Sequence, residues 1–118
     1  MKRTKFGTRF KMQGSIILIP FPFSDLSSTK KRPCLVISKS NNQEQDLIVL
    51  AITAQSKQSN NPTITITNSD LKEGTLPKVS YVRISKIANI HRSLVLKNIG
   101  FLKESTLKKI IETFKLQF

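Results

Sequence analysis

The chain has 118 residues, enough for one domain built around one modest hydrophobic core. Its 20 Lys and Arg against 7 Asp and Glu leave a formal charge of +13, which disfavours a cationic ligand and favours a polyanion, an anionic surface or an acidic protein partner. One cysteine, Cys34, and one histidine, His91, exclude an intrachain disulfide and a Cys/His metal cluster, and no apolar run approaches the roughly 18–20 residues of a membrane span.

Residues 1–13 carry Lys2, Arg3, Lys5, Arg9 and Lys11 and no acid. They are expected to form a mobile arm, either a solvated tail or a nucleic-acid-binding extension, ahead of a domain over residues 14–118. The apolar run that follows lacks a small-residue cleavage site and is broken by Pro20 and Pro22, so it reads as a strand rather than a leader, and a soluble, cytoplasmic protein is expected. Ser15–Ile19 is that first strand, leaving its sheet at Pro20-Phe21-Pro22-Phe23 because proline cannot donate to a central ladder. Ser24–Lys31 is a polar loop. Pro33–Ser38 and Asp46–Thr53 read as the second and third strands, with an Asn/Gln-rich linker between them. Thr63–Thr67 alternates with period two, Val79–Ile84 makes a fifth strand and Leu94–Leu96 a sixth. Gly100 stands as a breaker before a helix from Lys103 to Leu116, where Leu107, Ile110, Ile111 and Phe114 form one apolar stripe. This order predicts a mainly β protein, a small barrel closed by a C-terminal helix.

Polar side chains at strand ends are the first candidates for chemistry. One loop runs through Ser24, Asp25, Ser27, Ser28, Lys30 and Lys31 into Arg32-Pro33, and a second opens with Thr53-Ala54-Gln55-Ser56-Lys57. Pro33 holds Arg32 extended, so a guanidinium whose planar fork matches phosphate oxygens is presented at the strand mouth. Arg83, Lys86 and Arg92 are candidates for a phosphate-tracking groove. Phe21 and Phe23 are either base-stacking or core residues, and Tyr81 and Val82 suit a core or dimer contact. Cys34, inside an apolar strand, reads as a small buried hydrophobe. His91 falls in a loop, with a structural role or catalysis open to it.

Three blocks carry a family resemblance: Gly14-Ser15-Ile16-Ile17-Leu18-Ile19-Pro20-Phe21-Pro22-Phe23-Ser24-Asp25-Leu26, then Lys31-Arg32-Pro33-Cys34-Leu35-Val36-Ile37-Ser38, then Ala51-Ile52-Thr53-Ala54-Gln55. They resemble the PemK-like branch of the MazF/PemK toxins of bacterial type II toxin–antitoxin pairs, with its G-D-I-V-L-x-P-F-P-F-T-D-L opening and R-R-P-x-L-V-I-S strand. Tyr81-Val82-Arg83, Lys86–Ile90 and Ile99-Gly100-Phe101-Leu102 are similar to that branch too.

The resemblance implies an SH3-like barrel of the CcdB/PemK plasmid-maintenance fold. It also implies a homodimer and an endoribonuclease that cuts single-stranded RNA at short sequence motifs with neither metal nor cofactor. An acidic antitoxin would fill the RNA groove, any DNA contact would come through the antitoxin complex, and expression would arrest growth. The catalytic arginine of the family matches Arg32 and its catalytic threonine Thr53. Ser24, Ser27, Ser28, Lys30, Lys31, Gln55, Lys57, Arg83 and Lys86 become the RNA-contact candidates. Ser15 stands where the family usually has Asp, a position expected to be structural. In such cleavage the ribose 2′-OH attacks the adjacent phosphorus and charge gathers on the non-bridging oxygens, where Arg32 would act and Thr53 would orient the phosphate. A guanidinium does not surrender its proton in proteins, so a weak or solvent-borne base and a slow enzyme are expected. A rate limb in the imidazole range would instead indicate His91. The alternative from another class is a non-catalytic toxin of the same fold, binding nucleic acid or poisoning gyrase.

Overall fold

The computed structural model describes residues 13–20, 31–39, 45–55 and 62–118. In them lie strands β1 (Ser15–Pro20), β2 (Lys31–Val36), β3 (Asp46–Thr53), β4 (Thr63–Ile66), β5 (Leu71–Gly74), β6 (Ser80–His91) and β7 (Lys97–Leu102), followed by helix α1 (Glu104–Leu116). All seven strands belong to one antiparallel sheet in the order β4-β6-β3-β2-β1-β7-β5.

That order forces the sheet to curl. β4 and β5 are its opposite edges, yet only residues 67–70 join them. A flat sheet of this size would hold its edges about 29 Å apart, at ~4.8 Å per strand. A connection this short reaches roughly 18 Å at most. The product is a curled half-barrel whose edges are bridged by a 3-10 turn at Asn68–Asp70, in keeping with the expected mainly β barrel.

The inner face collects Ile16, Leu35, Leu50, Ile52, Ile66, Val82, Ile84 and Leu102 around Ile110 of α1. The outer face carries a second cluster, Ile17, Ile19, Cys34, Val36, Leu47, Val49 and Ile90. Because β1 contributes to both, its Ile16-Ile17-Leu18-Ile19 run shows no alternation: both faces of a central strand are covered. The stripe predicted for the helix is the face that packs, with Ile110 fully buried and Leu107 and Phe114 against the core. No helix among the described residues is long and apolar enough to cross a membrane.

Asp70 ties the edge-bridging turn to the helix. Its Oδ2 accepts from the Thr67 backbone N–H at 2.8 Å, its Oδ1 from the Thr106 hydroxyl at 2.9 Å, and its carbonyl from the Lys103 N–H at 2.9 Å. The last bond satisfies one backbone donor at the start of α1, where Lys103 supplies no side-chain cap.

Four sequence expectations change. Residues 94–96 are not a strand: the His91 ring accepts from the Ser93 N–H at 3.1 Å and caps a 3-10 turn at Arg92–Leu94, and the sheet resumes only at Lys97. β5 went unread because Leu71-Lys72-Glu73-Gly74 offers a single apolar side chain. β6 runs on to His91 rather than stopping at Ile84, its pattern broken where the pairing jumps from Ile52↔Val82 to Leu50↔Ile87. Gly100 is no breaker. It sits inside β7 opposite Gly74, whose φ is 87°, and a Cβ on Gly74 would lie 2.2 Å from the Ile99 carbonyl oxygen, so the backbones approach where only glycine fits.

Candidate functional site

The site arises where one strand pair ends. β2 and β3 pair through Val36↔Val49, Leu35↔Leu50 and Cys34↔Ala51, and no further. Continuing that register sets Pro33 against Ile52 and Arg32 against Thr53. Pro33 is the first residue past the ladder, so its missing N–H takes no hydrogen bond from the β2–β3 pair. On its other side β2 stays paired, Arg32 with Ile19 and Lys31 with Pro20. Arg32 is thus anchored on a ladder while its partner strand diverges toward β6, where Thr53 pairs with Tyr81.

The gap opened by this divergence is a cleft of about 730 Å³. Lys31, Arg32, Thr53, Gln55 and Arg83 all line it, with Leu18, Pro33 and Ile52 as its apolar floor. Thr53 Oγ1 accepts from the Gln55 N–H at 3.1 Å, which fixes the hydroxyl and leaves its own proton to donate to a ligand. Arg83, half-buried opposite Thr63 of β4, brings a guanidinium from the far side. The described lining contains Lys31, Arg32, Lys78 and Arg83 and no Asp or Glu. Four cations around hydroxyl donors, with no carboxylate among the described lining residues, suit an extended anion.

Lys78, Thr75 and Ser80 were not among the sequence candidates. Thr75 and Lys78 reach the cleft on the Thr75–Val79 connection between β5 and β6, and Ser80 is the first residue of β6; the only local signal was the Leu76-Pro77-Lys78 turn sequence. Lys86, by contrast, does not join Arg32 and Thr53. The bend in β6 carries it to a neighbouring hollow of about 530 Å³ with Ile19, Cys34, Ala51, Ile87 and Leu94. His91 lines that hollow too, its Nδ1 2.8 Å from the Ser93 hydroxyl, and Arg92 is absent from the cleft lining. Ser24, Ser27, Ser28, Lys30 and Lys57 lie outside the described residues, as do Phe21, Phe23 and the arm through Met12.

Cys34 is 1% exposed, and burial pushes its thiol up from about 9.0 to about 12, the state of an inert packing residue. Ser15 is fully buried and accepts from the Asn98 amide at 3.4 Å, a structural position as expected. Among the described residues no three His, Cys, Asp or Glu side chains gather in a way that could hold a metal ion.

Comparison with known proteins adds to this geometry. The family model of PemK-like, MazF-like toxins of type II toxin-antitoxin systems matches residues 12–118. None of the curated proteins compared with the chain matches it. Among solved structures, an endoribonuclease in complex with its cognate antitoxin from Mycobacterial species superposes with a TM-score of 0.67 at 18% identity, covering 89% of this chain and 91% of that one. A second endoribonuclease from Mycobacterial species gives 0.63 at 18% identity, covering 89% and 88%. The Mycobacterium tuberculosis toxin MazF-mt6 gives 0.66 at 17% identity, covering 86% and 93%. At these identities the likeness is one of fold.

Proposed function

The chain belongs to the PemK-like, MazF-like toxins of type II toxin–antitoxin systems, and from that premise we propose that it is a metal-independent endoribonuclease cutting single-stranded RNA at a short sequence motif. The observation that carries this reading is the shared cleft of Arg32 and Thr53, ringed by cations and without a described carboxylate. Two of the neighbouring structures are endoribonucleases, which supports the same reaction class.

In the proposed reaction the ribose 2′-oxygen attacks the adjacent phosphorus, the bond to the 5′-oxygen of the next nucleotide breaks, and that oxygen takes a proton. The products are a 2′,3′-cyclic phosphate and a 5′-hydroxyl. Arg32 faces the charge that builds on the non-bridging oxygens, an interaction worth roughly 3–4 kcal/mol per donor in other enzymes. Thr53 donates to the same phosphate and holds it in line. Solvent removes the 2′ proton, since the Arg32 guanidinium keeps its own. Lys31, Gln55 and Arg83 hold the flanking RNA.

An acidic antitoxin competes for the cleft, a partner supported by the antitoxin-bound neighbour and by the +13 charge. A second copy of the chain covers the outer hollow, whose rim leaves Ile87 42% and Leu94 37% exposed. The deciding experiment is end-mapping on a long RNA in EDTA. Defined cuts with cyclic phosphate and 5′-hydroxyl ends, lost in Arg32→Ala, support the reading. RNA bound but never cut, with gyrase trapped on DNA, would establish the non-catalytic alternative.

A further inference from the structure

The loop that completes the cleft opposite Arg32 is held more firmly than an exposed connection needs to be. Asn68, in the turn bridging the sheet edges, grips Leu76 at both backbone groups: its Oδ1 accepts the Leu76 N–H at 2.6 Å and its Nδ2 donates to the Leu76 carbonyl at 3.1 Å. The Leu76 side chain is 5% exposed and plugs into the inner core. Pro77 fixes the next φ, and the Ser80 hydroxyl donates to the Lys78 carbonyl at 3.0 Å. Lys78 therefore projects from a backbone fixed on both sides. It is exposed and lines the cleft of Arg32 and Thr53, and no carboxylate among the described residues bridges it.

We infer that Lys78 is a further substrate-binding residue, holding an RNA phosphate next to the one at Arg32 and Thr53, and that Asn68 is the residue positioning it. This rests on the RNA-cleaving reading and extends it to a loop that the chemistry does not touch. An ammonium on a flexible stem would spend side-chain entropy to reach a phosphate. A pinned base removes the backbone share of that cost, which gives the double bond from Asn68 a functional meaning.

The test uses the full chain and a single-stranded RNA that spans a mapped cut and is 2′-O-methylated there, so that binding is read without cleavage. Affinity is measured across a KCl series. Each phosphate neutralised on a single strand contributes about 0.7 to the slope of log K against log [salt]. Arg32→Ala, Lys78→Gln and Asn68→Ala should each make the slope shallower by about 0.7, and Lys78→Arg should restore it. The Asn68→Ala/Lys78→Gln pair should lose no more than Lys78→Gln alone, because both changes remove one contact. A merely structural role for Asn68 would lower thermal stability without moving the slope. If Lys78→Gln keeps the wild-type slope while Arg32→Ala loses its increment, the inference falls and the nuclease reading stands. If the wild-type chain does not bind this RNA at all, both fall.

Discussion

In the proposed reaction the Arg32 guanidinium and the Thr53 hydroxyl divide the work between charge and orientation, and single substitutions can separate the two. Arg32→Lys keeps the charge but loses the planar fork. It should retain the salt dependence of RNA binding and lower single-turnover cleavage by roughly 10²–10³-fold, the loss seen on removing one preorganised donor. A wild-type rate in that variant would show that a point charge suffices. Thr53→Val should lower the same rate without changing the salt slope, since it removes no charge. Cys34 gives a test independent of RNA. The unfolded thiol ionises near pH 9 while the folded one keeps its proton to about 12, so the unfolded state sheds protons first and stability falls as pH climbs through that window. Urea unfolding of the wild type should lose up to about 1.4 kcal/mol per pH unit there beyond the loss in Cys34→Ala. Parallel slopes for the two proteins would remove the buried thiol from the account.

At the level of elements, the closure of the half-barrel depends on a turn and a helix sharing Asp70. Asp70→Ala deletes the acceptors of both Thr67 and Thr106. At roughly 1.5–3 kcal/mol for a hydrogen bond to a charged group, it should lower Tm by on the order of 8 °C in thermal unfolding; a loss under 2 °C would show that the edges stay bridged without it. Asp70 also marks the limit of what the sequence discloses. β4 and α1 were legible because their apolar spacing repeats at the period of one element, and β1 and β3 because each is a short apolar run bounded by turn signals. β5 was not, since one leucine beside Lys72, Glu73 and Gly74 carries no period. The two loops leading to Arg32 and Thr53 could be singled out from turn chemistry and Pro33. Their meeting could not, because it follows from the Cys34↔Ala51 register, a long-range choice that no local pattern encodes. Lys78 escaped notice because what fixes it is a contact from Asn68 to Leu76, and Lys86 lines a different hollow from Arg32 because the β6 pairing shifts between Val82 and Ile87.

For the molecule as a whole, most of the Lys and Arg among the described residues lie outside the cleft, and the two populations should act on different steps. Under the proposed function, contacts inside the cleft hold RNA once it is bound, and distant charges raise the potential through which RNA approaches. Lys108 and Lys109 are exposed on α1, none of whose residues lines the cleft. Reversing both to Glu removes two charges at each position and takes the formal +13 to +9. Association with RNA should slow severalfold in low salt, and the difference should vanish near 1 M salt, where the Debye length shrinks to about 3 Å. Dissociation should not change, whereas Arg32→Ala should speed it. Stopped-flow binding to the 2′-O-methylated RNA separates the two rates. Faster dissociation from the helix variant would place α1 in the binding surface and extend the RNA track beyond the cleft. An unchanged dissociation rate would leave the helix as a source of long-range attraction, free to vary in sequence so long as the sign of its charge is kept.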